Sequence, residues 1–134
     1  MSKIRILAIL ALCLMLAGCQ PRTDGAARVL VDGVEWDGAA LGGGGDLRVY
    51  VTLDGKALID APFDEARLIE VVQPDGAENA VRITGDSVVM EHANCENQDC
   101  VEMGAVTRDN LELRVMSGFI VCLPHKLSVE VRGK

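Results

Sequence analysis

Positive charge is scarce in this sequence: 13 Lys and Arg stand against 20 Asp and Glu, giving a net charge of −7 and a pI near 4.7. Such a surface repels polyanions and excludes nucleic-acid binding through a basic patch. The chain is also short, and its 134 residues allow one small domain but not a second. Histidine occurs only at His92 and His125, and beyond the first 18 residues serine occurs only at Ser87, Ser117 and Ser128. None of these serines sits in a nucleophile elbow, which excludes a serine hydrolase. Gly42 to Gly45 is not followed by Lys-Ser or Lys-Thr, so it is not a phosphate loop. Asp24, Asp32, Asp37 and Asp46 lack the spacing of a calcium loop and read as solvated carboxylates. No repeat of 20 to 50 residues is present.

What is present begins at the N-terminus. Lys3 and Arg5 precede an apolar run from Ile6 to Gly18, a charged n-region followed by an h-region, and the run stops at Cys19. A membrane-spanning helix needs roughly 20 apolar residues, so this stretch reads as an export signal. Leu16-Ala17-Gly18-Cys19 resembles the bacterial lipobox, in which small residues admit a signal peptidase before a cysteine that carries diacylglycerol. Residues 1–18 are therefore expected to be a lipoprotein signal helix, with Cys19 as the acylated, palmitate-bearing first residue of the mature protein. The expected location is the cell envelope on the extracytoplasmic side, or the periplasm in a Gram-negative cell. Residues 19–45, rich in Gly, Ala and Asp, read as a tether. Within it, Val29-Leu30-Val31, Asp32-Gly33 and Val34-Glu35-Trp36 have the pattern of a short strand and turn.

From Asp46 to Lys134 the chain alternates β-branched and apolar residues with turn signals, the pattern of a mainly β domain. We expect a small antiparallel barrel or sandwich of about seven or eight strands. The expected strands are 47–53, 56–60, 67–72, 79–84, 86–91, 111–116, 118–122 and 126–131. Asp54-Gly55 and Gln73-Pro74-Asp75-Gly76 mark turns, and the 111–116 and 118–122 strands are expected to meet across Ser117. In the last strand, Leu127, Val129 and Val131 share one face, and Ser128, Glu130 and Arg132 the other. A sandwich with the N-terminal arm as an added edge strand is a second arrangement. The polar segment Cys95 to Gly104 interrupts the alternation; Asp99 is placed to cap one helical turn that Gly104 would end.

With Cys13 in the signal and Cys19 committed to lipid, three cysteines remain: Cys95-x4-Cys100 and, 21 residues on, Cys122-Leu123-Pro124-His125. Three chemistries compete. Cys95 and Cys100 could pair as a disulfide, leaving Cys122 as a free third thiol. Alternatively, Cys95, Cys100, Cys122 and His125 could complete a tetrahedral set for zinc or another soft metal. Three packed or reactive thiols are the third option. Cys122 and His125 match the second box of a Rieske centre, but Glu96 and Asn97 stand where the first box needs its histidine. Thiol exchange would favour a shorter Cys-x2-Cys spacing at a helix start and a basic neighbour.

Three blocks carry a resemblance: Val88 to Glu91, Asn94 to Gly104, and Phe119 to Val131. Together they resemble the NusG domain II family, whose pattern pairs Cys-x4-Cys-Val-x2-Gly with Ile-Val-Cys-Leu-Pro-His-Lys-Leu. The family is named for a domain inserted in some versions of a transcription factor, but many members stand alone as exported or membrane-anchored proteins. The resemblance implies a compact, mainly β fold with a cysteine-bearing loop and carries no established activity. It also implies a setting among envelope flavin, quinone and electron-transfer functions. Family members commonly place Pro and Lys between the loop cysteines; Glu96-Asn97-Gln98-Asp99 departs from that pattern. The combined expectation is a monomeric, non-enzymatic domain without a cofactor. It would be anchored through Cys19 and would bind an envelope protein partner or organise a membrane complex. The alternative is a redox or electron-transfer accessory using the Cys/His cluster.

Overall fold

The computed structural model describes residues 25–134; the export signal, Cys13 and Cys19 lie outside the described residues. Ten strands and one short helix follow in order. They are β1 (Arg28–Val31), β2 (Val34–Glu35), β3 (Leu47–Leu53), β4 (Lys56–Pro62), β5 (Arg67–Val72), β6 (Glu78–Ile83) and β7 (Ser87–Ala93), then α1 (Asp99–Glu102), β8 (Val106–Thr107), β9 (Phe119–Cys122) and β10 (Leu127–Gly133).

The strands form two antiparallel sheets, one in the order β2-β1-β5-β6-β7-β8 and the other β4-β3-β10-β9. Both sheets have free edges, so the described residues form two layers and not a closed barrel. Both layers bury the alternate residues of their strands in one core. Ile69, Val71, Val81, Val88 and Met90 come from the first sheet, and Val49, Val51, Ile59, Ile120, Leu127 and Val129 from the second. The last strand alternates as expected, and on its outer face Ser128 Oγ lies 2.6 Å from Thr52 Oγ1 across the β3–β10 ladder.

Local chemistry explains the hairpins. At the β1–β2 and β3–β4 turns, Asp32 and Asp54 take φ of 53° and 49°, and Gly33 and Gly55 follow at 81° and 78°. Two consecutive positive φ values match the right-handed twist of the flanking strands. The arm is part of the sheet: β1 pairs with β5 from Arg28↔Val72 to Val31↔Ile69. Trp36 packs against the core with its Nε1 donating to the Ala39 carbonyl at 3.0 Å.

Two local expectations are corrected. Residues 111–116 form no strand. Their backbone closes successive turns, with Leu113 and Arg114 N–H on the Asn110 carbonyl, Ser117 N–H on Arg114 and Phe119 N–H on Met116. Their alternation has no partner strand beside it, and Leu113 and Val115 point into solvent at 83% and 102% exposure. Asp99 does not cap α1. Gln98 occupies the N-cap in the left-handed region at φ 55°, with no side-chain cap bond. The helical turn does end at Gly104, whose φ of 73° suits a left-handed C′ residue.

Candidate functional site

The three cysteines of the domain come from three elements. Cys95 follows β7 by two residues, Cys100 is the second residue of α1, and Cys122 ends β9. All three are buried in the core and free, and their sulfurs lie within 4.8 Å of one another. Cys95 Sγ and Cys100 Sγ are 3.7 Å apart.

Gln98 makes the loop close. Its left-handed backbone turns the Nε2 amide back under the loop, where it donates to the Ala93 and Cys95 carbonyls at 2.7 and 2.6 Å and reaches Cys95 Sγ at 3.7 Å. Asn94 fixes the entry to the loop: its Oδ1 accepts from Glu78 N–H at 2.8 Å and its Nδ2 donates to the Gly76 carbonyl at 2.9 Å. Met103, just after α1, places its sulfur 3.4 Å from the Val121 N–H on β9. Loop, helix and edge strand are thereby drawn to one point.

Burial pushes the Cys100 thiol up to about 12, with hydrogen bonding to Cys122 and then to Cys95 adding to the shift. With no ion bound, this thiol stays protonated at neutral pH and is a poor nucleophile.

The structure does not bring His125 into the sulfur group. Its imidazole meets Asn79 instead, through Nδ1. Buried Asn79 donates its Nδ2 to Met90 Sδ at 3.6 Å, so its Oδ1 accepts from His125 Nδ1 at 2.8 Å. The His125 carbonyl accepts from Gln73 Nε2 at 2.9 Å. His125 lines two adjoining hollows. One, of about 490 Å³, lies between the β3–β4 hairpin, the Gln73–Asp75 turn and the Pro124–Lys126 turn. The other, of about 320 Å³, is lined by Asn94, Cys95, Glu96, Asn97, Pro124 and His125. His92 stands exposed on β7, away from the sulfur cluster.

Sequence spacing marked the three cysteines but missed Gln98, Asn79 and Met103, the residues that position them and His125. Only Gln98 carried a signal that could have found it, an amide beside Asp99 in a loop without apolar alternation.

Fold and site together define a two-layer antiparallel β domain whose loop, helical turn and edge strand enclose three thiols. The family model for NusG domain II matches residues 4–134, and the chain belongs to the NusG domain II family. It is similar to a DUF1312 family protein from Enterococcus faecalis at 21% identity and a TM-score of 0.57, covering 66% of this chain and 98% of that one. The Lin0431 protein from Listeria innocua is similar at 21% identity and a TM-score of 0.56, covering 67% of this chain and 99% of that one. A DUF1312 family protein from Ruminococcus gnavus is similar at 31% identity and a TM-score of 0.51, covering 65% and 99%. No curated protein matches the chain.

Proposed function

We propose that this is a lipid-anchored bacterial envelope protein whose β domain serves, without catalysis of its own, to bind a protein partner or assemble a membrane complex. The anchoring half rests on Lys3, Arg5, the Ile6–Gly18 run and Leu16-Ala17-Gly18-Cys19. Because β1 begins at Arg28, the eight residues from Gln20 to Ala27 span about 30 Å at most. The domain would then stand close to the bilayer, where only partners at the membrane surface are in reach.

The observation that carries the contact role is the 108–117 loop, which holds Leu113, Val115 and Met116 in solvent beside half-exposed Phe119. Contiguous exposed apolar side chains on a small domain mark interaction surfaces. Replacing Cys19 with Ser is expected to release the protein from membranes into the soluble envelope fraction. Retention of the variant in washed membranes would refute the anchor. Leu113→Asp with Val115→Asp is expected to abolish in-cell crosslinking from a photoreactive residue at Met116 while leaving the melting temperature unchanged.

A second reading, a redox or metal-handling accessory, is favoured by one observation: the convergence of Cys95, Cys100 and Cys122.

A further inference from the structure

We propose that Cys95, Cys100 and Cys122 form a three-thiolate site for a divalent thiophilic cation of the zinc(II) and cadmium(II) class, with His125 outside the ligand set. The proposal deepens the second reading above and is independent of the lipid anchor.

Geometry is the first support. A metal bonded to sulfur at about 2.3 Å holds tetrahedral ligand sulfurs roughly 3.8 Å apart. Cys95 and Cys100 already stand at 3.7 Å, and the third sulfur lies within 4.8 Å of both. Small rotations of the Cys122 side chain would complete the face of a tetrahedron. The three ligands come from a loop, a helical turn and a strand that pack on one another, so the site is part of the fold.

The second support is the outer shell. Gln98 fixes the loop cysteine by donating its Nε2–H groups to the Ala93 and Cys95 carbonyls, with the nitrogen 3.7 Å from Cys95 Sγ, as groups behind metal ligands do when they hold a donor in place. Access is the third. Cys95 is the most exposed of the three at 5%, against 1% for the others, and it alone lines the hollow that contains Glu96 and His125. An ion entering there meets one carboxylate and then the first sulfur. The fourth coordination position would face this hollow and be taken by water.

Binding exchanges three thiol protons for one divalent ion, and the protons pass to solvent. A single net negative charge is left among Cys95, Cys100 and Cys122, where three free thiolates would place three. Soft sulfur donors select this class of ion over calcium or magnesium. His125 is left out of the ligand set because it is not among the groups within 4.8 Å of one another, while Asn79 Oδ1 engages only its Nδ1.

The test uses the full chain, purified in detergent under reducing conditions and titrated with cadmium(II) and separately with zinc(II). Binding is followed by the sulfur-to-cadmium charge-transfer absorbance and by alkylation rates mapped peptide by peptide at Cys95, Cys100 and Cys122, so that Cys13 and Cys19 do not contribute. The expected result is one ion per chain, alkylation of all three thiols slowed together, and magnesium(II) without effect. Cys95→Ser, on the loop, is expected to weaken binding by at least about tenfold. His125→Ala is expected to leave the stoichiometry and charge-transfer band intact. Circular dichroism on each variant separates lost binding from lost folding, and Cys95→Ala serves as a second variant. Unchanged alkylation rates with no retained ion would overturn the proposal and leave three core thiols. A Cys95–Cys100 disulfide whose reduced form takes up no cadmium would overturn it in favour of disulfide chemistry. Loss of binding in a folded His125→Ala protein would overturn the three-sulfur assignment.

Discussion

Asp32 sets the β1–β2 turn and also reaches across to β5. Its Oδ1 accepts from the Leu68 N–H at 2.8 Å and its Oδ2 from Arg67 Nη1 at 3.1 Å. The Leu68 backbone bond is the main force holding this carboxyl below its ordinary value, burial opposes it, and Arg67 adds to the lowering. A carboxylate lowered in the folded state contributes stability that is present above its unfolded value, near 3.9, and is lost as pH falls through the folded value. Asp32→Asn keeps the left-handed turn and removes the charge. Because the side chain is half exposed, the expected loss at pH 7 is about 0.5–1 kcal/mol. Urea melts of both proteins should converge once the pH drops below the folded value; a gap that persists in acid would mean that the charge is not the cause. Gly118 is tighter. A Cβ there would meet the Val131 carbonyl oxygen at 2.1 Å and Leu111 Cδ2 at 3.0 Å. The first of these is backbone in β10 and cannot yield. Gly118→Ala is expected to cost about 2–3 kcal/mol in a urea titration, although the replaced residue has an ordinary backbone conformation.

At the scale of elements, Arg114 explains how a loop with exposed apolar residues stays folded. Its Nη1 donates to the Ser117 and Phe119 carbonyls and its Nη2 to the Met103 carbonyl, each at 2.9 Å. One guanidinium thus ties the loop to the outer edge of β9 and to the end of α1. Arg114→Ala should raise the rate of proteolytic cutting within 108–117 and lower the melting temperature by about 4 °C, for a loss near 1 kcal/mol. Cutting at the wild-type rate would show that the turns alone hold the loop. The same segment shows what the sequence could and could not convey. Leu111-Glu112-Leu113-Arg114-Val115 alternates as a strand does, but alternation states only a period, and a strand also needs a neighbour whose edge is free. Here the residue that matters is the polar Arg114, whose carbonyl partners are Ser117 in the loop, Phe119 on β9 and Met103 just after α1. The hairpins 47–60 and 67–83 were legible because turn residues and buried faces agreed locally, whereas 118–122 was paired with 111–116 and not with 126–131. The closeness of Cys95 and Cys100, whose free thiols lie 3.7 Å apart, was legible from spacing. Cys122 was grouped with them only as one alternative, since its arrival depends on α1 packing against β9.

For the whole molecule, the N-terminal arm decides how far the proposed lipid anchor at Cys19 would stand from the folded unit. Strand β1 covers the edge of β5 along its full length of four paired residues, and Val29 is buried in the core. Ala27, Val31, Trp36 and Leu41 pack against the same core, and Arg48 Nη2 donates to the Leu41 carbonyl at 3.1 Å. A chain beginning at Asp46 would keep the second sheet intact but leave β5 bare. The exposed edge would carry Leu68, Ile69, Val71 and Val72, a hydrophobic strand with unpaired backbone groups. We expect this truncated chain to unfold at a lower urea concentration and to associate with itself in sedimentation velocity as concentration rises. An unchanged midpoint in a monomeric truncated chain would show that 28–45 merely lies on the sheet and can detach as a longer tether. The two outcomes would give the protein, if anchored as proposed, different reach. With β1 in place, the start of the folded unit in the proposed anchored protein would lie within about 30 Å of the bilayer. With the arm released, 26 residues from Gln20 to Gly45 could extend to about three times that distance. Because the β1–β5 ladder and the buried Val29 both oppose release, the short reach is the one the fold favours.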